Sequence, residues 1–179
     1  MRRKLMWVLV VGAVIAGAAA YVGKALATPA SGFAGTTLAV GRFGDIDVEN
    51  HMLLEGVLKK NGKEKKNALW LSLQKTKGQS DVYVQSNVWA PGGTTGWHTH
   101  PGHSLIIVTA GTVTAYEGDD PSCTPQRYTV GMGFVDPGGD HVHLLRNEDS
   151  VEARTIAVQL IPAGAMRRID AQGPDTCPF

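Results

Sequence analysis

The sequence is short of net charge: 17 Lys and Arg stand against 16 Asp and Glu, +1 with histidine neutral. That near-balance excludes the strongly basic surface expected of a nucleic-acid-binding protein. Cysteine is scarce as well; two residues allow one intramolecular disulfide and no more. Beyond the N-terminal segment no convincing helical pattern appears, which excludes a helical bundle. Histidine is equally sparse, six in 179 residues, yet half of the six lie within His98–His103.

What is present begins with "MRRKLMWVLVVGAVIAGAAAYVGKALA" at 1–27. Arg2, Arg3 and Lys4 precede an uncharged run over 5–23, and the segment closes on Ala25, Leu26 and Ala27. Basic start, apolar middle and small-residue end are the pattern of an export signal. A run of about 19 residues is also long enough to span a bilayer, so a retained membrane anchor is the alternative. The Ala-x-Ala ending and the polar sequence after it favour cleavage. Arg2-Arg3 loosely resembles a twin-arginine signal, although basic pairs are ordinary in any signal. Either way the bulk of the chain is expected outside the cytoplasm.

Four of the 17 basic residues and no acidic one lie in that segment, so the remainder carries 13 against 16, a net of −3. Its one basic run, "KKNGKEKK", centres on Asn61-Gly62 and reads as a solvated hairpin turn rather than an anion-binding surface. Cys123 and Cys177 both fall in the exported part and are expected to pair, free thiols or metal ligation being the alternatives. Such a bond closes 54 positions and contributes about 4 kcal/mol on the chain-entropy model. It would pin the C-terminal tail to a loop.

Residues 28–37, "TPASGFAGTT", read as a flexible linker, leaving 38–179 as one domain. A short stretch near 48–58 has helical composition. Strand signals dominate elsewhere, at 68–74, 81–90, 104–110, 112–118, 126–130, 142–145 and 152–161, punctuated by 22 glycines and nine prolines. The class expected is all-β, a sandwich or barrel of short strands. In "DVYVQSNVWA", Val82, Val84 and Val88 share one face while Tyr83, Gln85, Asn87 and Trp89 share the other. Parity leaves open whether the mixed face lines a pocket or meets solvent, and the same holds for Gln159.

His98 and His100 stand two apart, so in an extended segment both imidazoles point the same way and can share one ion. A second His-x-His pair, His141 and His143, recurs about forty residues on, again beside a Pro/Gly turn. Gly92, His98, His100, Ser104 and Gly111 resemble the first motif of the cupin superfamily, and Gly131, Pro137, Gly139, His143 and Asn147 its second. The chain resembles the small exported bacterial cupin-domain proteins. The resemblance covers 82–161 and implies a double-stranded β-helix, the cupin jelly-roll barrel. It also implies one divalent metal held by three histidines and a glutamate.

Two departures qualify it. Ser104 stands at the glutamate position, and one extra residue separates Gly139 from the second-motif histidine. The spacing to Asn147 selects His143, leaving metal ligands His98, His100 and His143. His103, His141 and Ser104 are the further candidates for a ligand or pocket role; His51 is unrelated. Asp136 and Asp140 beside Pro137, Gly138 and Gly139 read as turn formers. Zn, Mn, Fe, Ni and Cu all suit three imidazoles, and binding is expected to weaken as pH falls through about 6.5. Two functional expectations follow: a metal-dependent enzyme, oxygenase-like, on a small polar organic molecule, or a non-catalytic extracytoplasmic module binding a small ligand or metal. A vestigial, metal-free site is the third. The partner expected is a small molecule; a membrane enters only through an uncleaved N-terminus, and a homodimer is compatible with the sequence.

Overall fold

Alternating β-branched and polar residues between glycine-rich turns dictate extended structure, and that is what the chain adopts. The computed structural model describes residues 28–54, 58–60, 63–65, 68–177 and 179. The expected signal or anchor helix at 1–27 lies outside these. Among the described residues no helix is long and apolar enough to cross a membrane. The strands are β1 Ser31–Phe43, β2 Ile46–Leu54, β3 Leu58–Lys60, β4 Lys63–Lys65, β5 Ala68–Thr76, β6 Ser80–Thr94 and β7 His98–Thr99. They continue as β8 Ser104–Ala110, β9 Thr112–Glu117, β10 Gln126–Thr129, β11 Gly133–Asp136, β12 His143–Arg146, β13 Ala153–Pro162 and β14 Ile169–Asp170.

Ten of them form one antiparallel sheet whose main path runs β10-β9-β12-β6-β13-β8-β11, with β1 on β6 and β7 joining β12 to β14. The sheet curls on itself: Trp89, Val113, Ala115, Leu145 and Ala153 from β6, β9, β12 and β13 meet in one buried cluster. Phe33, Tyr128 and Phe134 from β1, β10 and β11 pack against it. Gly111 makes the tight β8–β9 turn possible. Its φ is +63°, and a Cβ there would lie 2.5 Å from the Glu152 carbonyl oxygen.

β12 is buried on both faces. Leu145 points into the barrel, while Leu144 packs outward with Trp97, Tyr116 and Cys177. The C-terminal tail supplies that outer cover. Cys123 and Cys177 form the expected disulfide, their Cα atoms 5.5 Å apart. Phe179 stacks between Tyr116, at 4.7 Å, and the Arg146 guanidinium, at 4.2 Å.

Two expectations about the N-terminal half are corrected. Residues 28–37 are not a flexible linker along their length, because from Ser31 onward they belong to β1, hydrogen-bonded to β6 from Ser31↔Thr94 to Phe43↔Ser80. Gly32 and Gly35 instead let β1 lie closely against β6, since a Cβ there would come 3.1 Å from Gly93 Cα and 2.6 Å from Gln85 Nε2. The stretch near 48 is strand β2, paired with β5, rather than helix. Nine cross-strand pairs outweigh a weak local preference. The basic run does form a hairpin, with Lys60 opposite Lys63.

Candidate metal centre

A two-residue strand brings the histidines together. In β7, His98 stands directly opposite His143 of β12, so their side chains share a face. His100, two residues on, follows His98 to that side. Two hydrogen bonds tie the segments: Thr99 Oγ1 donates to the Gly139 carbonyl at 2.7 Å, and Gly139 N–H donates to the His100 carbonyl at 2.7 Å. The ring centroids lie 4.4 Å apart for His98 and His143, 4.8 Å for His98 and His100, and 5.5 Å for His100 and His143. One nitrogen from each falls within 4.8 Å of the others.

The hydrogen bonds around the rings settle which nitrogen is available. His98 Nδ1 donates to the Gly96 carbonyl at 2.9 Å, and His100 Nδ1 donates to the Arg167 carbonyl. A proton held on Nδ1 leaves the Nε2 lone pair for an ion. His143 Nδ1 is a buried nitrogen without a hydrogen-bond partner, 3.5 Å from Asp136 Oδ1. Burial lowers the pKa of His98 to about 2, with His143 lowering it further, and lowers that of His143 to about 4 against the opposing pull of Asp136. Two of the three rings therefore stay neutral well below the expected pH of 6.5.

Asp136 is the residue that sequence reading missed. It caps its own turn, accepting from the Gly138 N–H at 2.9 Å, which is the role assigned to it. Its buried carboxylate also faces the cluster, with Oδ2 3.4 Å from His100 Nε2 and 3.4 Å from Ser104 Oγ. Asp136 and Ser104 are cross-strand partners in β11 and β8. A carboxylate from the neighbouring strand thus stands beside Ser104. Register between the two motif strands, not spacing along either, was the signal that would have found it.

The remaining candidates separate. Ser104 is buried in the cavity wall. His141 precedes β12; its ring stacks at 5.9 Å on that of His143, its Nε2 contacts Glu117 Oε2 at 2.6 Å, and it lines a second pocket with Asp119 and Asp140. His103 lines a different groove with Thr76, Gln79 and Pro162. His51 is exposed on β2.

The three histidines, Ser104 and Asp136 form part of the wall of a cavity of about 290 Å³. Gln85, Asn87, Gln159, Arg167 and Arg168 supply more of its polar lining, and Phe33, Trp89, Ile106 and Leu145 the apolar lining. The mixed face of β6 thus looks inward. Three convergent imidazoles, two of them held neutral by burial, an orphaned buried nitrogen and an adjacent carboxylate fit a divalent ion.

A curled antiparallel sheet carrying an inward imidazole cluster beside an open cavity defines a class of small all-β barrel with a metal-type centre. Residues 87–159 match the family described as the cupin domain. Comparison with curated protein sequences finds no match. Among solved structures it is similar to an oxalate oxidase, at 22% identity over 46% of this chain and 46% of that one, TM-score 0.39. A polyketide cyclase from Streptomyces resistomycificus is similar at 16% identity, covering 53% and 63%, TM-score 0.44. A cupin superfamily protein from Desulfitobacterium hafniense shares 12% identity, covering 64% and 78%, TM-score 0.39. This chain spans under half the length of the oxalate oxidase it resembles.

Proposed function

We propose that this protein is a metal-dependent enzyme acting on a small polar organic molecule outside the cytoplasm. The carrying observation is the trio of imidazoles, His98, His100 and His143, gathered at the wall of a cavity with room for a ligand. His98 and His100 present Nε2 because Gly96 and Arg167 carbonyls hold their Nδ1 protons. Asp136 places a negative charge beside the two rings it touches and offsets part of a dication's charge. A divalent ion so held supplies a Lewis acid, an acidified water or a dioxygen-activating centre, and oxygenase-type chemistry is the subclass proposed. Export is supported by the signal-like N-terminus and by the Cys123–Cys177 bond, which persists in oxidising compartments.

The second reading, a non-catalytic binding module, rests on the shortage of proton-transfer groups. Apart from the histidines, Asp136 is the one carboxylate among the described residues lining the cavity. Elemental analysis of protein purified without added metal tests the common ground, with about one divalent ion per chain expected. Oxygen uptake by the loaded protein across a panel of small organic acids and alcohols then separates the readings. Ligand binding without turnover for any member would favour the module.

A further inference from the structure

Among the described residues, no carboxylate forms an ion pair with Arg167. Its Nε donates to Gln159 Oε1 at 3.0 Å, its Nη1 to Thr37 Oγ1 at 2.9 Å and its Nη2 to Gln85 Oε1. Its guanidinium lies over the Tyr83 ring at 4.1 Å. All three acceptors are neutral. Four other arginines do contact carboxylates: Arg42 contacts Asp81, Arg127 contacts Asp149, Arg154 contacts Glu152, and Arg168 contacts Asp170, whereas Arg146 lies against the Phe179 ring. Burial lowers the pKa of Arg167, whereas their aspartates raise those of Arg42 and Arg127.

The guanidinium is also aimed and fixed. Gln85 turns its oxygen to Arg167 and its nitrogen to Asn87 Oδ1; Asn87 in turn donates to Thr155 Oγ1 at 3.2 Å. Each amide thus has its orientation set by the next. Gln159 grips Arg167 twice, through the side chain and through the backbone carbonyl that also receives His100 Nδ1. A guanidinium carries five N–H groups, and these contacts use three, leaving one on each Nη. Arg167 lines the cavity that holds the histidines. With a dication bound, the unneutralised charges of the lining are the ion, Arg167 and Asp136, a positive balance.

We infer that the cavity binds a small carboxylate, with Arg167 receiving one carboxylate group while the rest of the molecule extends toward the three-histidine centre. The inference rests on the metal reading only for that second end. A carboxylate fits better than a phosphate because two remaining N–H groups match its two oxygens, and Phe33, Trp89 and Ile106 offer apolar wall to a carbon skeleton. The volume of about 290 Å³ lies at the low end of ligand pockets, which limits the ligand to a small acid.

The test is calorimetric binding of malonate, malonamide and inorganic phosphate to the full-length chain, with and without bound metal. Malonate should bind, and malonamide at least about tenfold more weakly, the scale of a charge-assisted hydrogen bond. Arg167→Met should weaken malonate by at least about tenfold, and Arg167→Lys by less. Gly35→Ala supplies an independent perturbation: its Cβ would come 2.6 Å from Gln85 Nε2, displacing the amide that holds the guanidinium, and should also weaken malonate. Thermal unfolding checks that each variant folds; should Arg167→Met not fold, Arg167→Lys and Gly35→Ala decide. No malonate binding, equal binding of the diamide, tighter phosphate, or undiminished malonate binding in the folded variants would overturn the inference. Metal content of the same samples keeps the two readings apart: a metal-loaded protein indifferent to Arg167 loses this inference alone. A protein that never holds metal yet binds malonate through Arg167 loses the metal reading alone.

Discussion

His100 and Arg167, sixty-seven positions apart, are joined by a hydrogen bond from the imidazole Nδ1 to the main-chain oxygen. The carbonyl decides which face of the ring can accept an ion, and it belongs to the residue whose side chain reaches over the cavity. Centre and pocket are thus built on one shared backbone segment. Because the partner is a main-chain atom, the bond survives any side-chain change at Arg167.

Alanine at His98, His100 or His143 should abolish stoichiometric metal, measured by elemental analysis after dialysis. His103→Ala and His141→Ala should leave it in place, since the former residue lines another groove and the latter contacts Glu117. Retention of a full equivalent by the His98/His100 double variant would place the ion elsewhere.

Asp136→Asn should weaken metal binding by about 10–100-fold, the scale for a group that supports the ligands. Sequence reading alone expects Ser104→Glu to strengthen binding. The structure reverses this for the single change, because a glutamate there would crowd a second carboxylate against Asp136, 3.4 Å from the present Oγ. The double change Ser104→Glu with Asp136→Ser should recover affinity lost in Asp136→Ser. Competitive titration with a chromogenic chelator reads all four proteins, and no recovery would show that Asp136 serves the turn alone.

The metal-free protein should lose stability as pH falls below about 6.5. An unfolded histidine takes up its proton near that value, whereas burial keeps His98 and His143 neutral down to about 2 and about 4. Protons therefore bind the unfolded chain first, and stability declines progressively from about 6.5 toward the native values. Two histidine ring resonances that do not shift between pH 7 and 5 in NMR spectra of the metal-free protein are the expected signature. Ordinary titration of all six would contradict it.

Reduction of Cys123–Cys177 should cost about 4 kcal/mol on the loop-entropy model and lower Tm by on the order of 10 °C. The effect should exceed what two exposed thiols would give, because the tail covers Trp97, Tyr116 and Leu144. Gly173→Ala should act in the same direction without touching the bond, since its Cβ would fall 2.2 Å from the Trp97 Nε1. Unchanged thermal unfolding in both cases would mean that the tail is not part of the core.

Most of the centre was legible because it depends on spacing. His98 and His100 share a side of an extended segment through the two-residue period, and the resemblance to the second cupin motif, through its offset to Asn147, picked His143 over His141. The disulfide followed from having two cysteines to pair. Alternation in β6 sorted Gln85, Asn87 and Trp89 from the valines but could not say which side was inside, since both faces of a strand in a curled sheet can be half buried.

The sequence by itself determined the all-β class, the two histidine motifs and the three residues that converge. The class and the two His-x-His pairs rest on local periodicity and on turn chemistry, which act over a few residues, while the choice of His143 rests on the resemblance to the second cupin motif. Tertiary structure decided that 31–43 is a strand, since only pairing with β6 reveals it. It also put Asp136 across from Ser104 and brought Arg167 over the cavity beside Tyr83, Gln85 and Gln159. Cross-strand register and the return of a distant loop are long-range pairings, and no pattern within either segment encodes its partner.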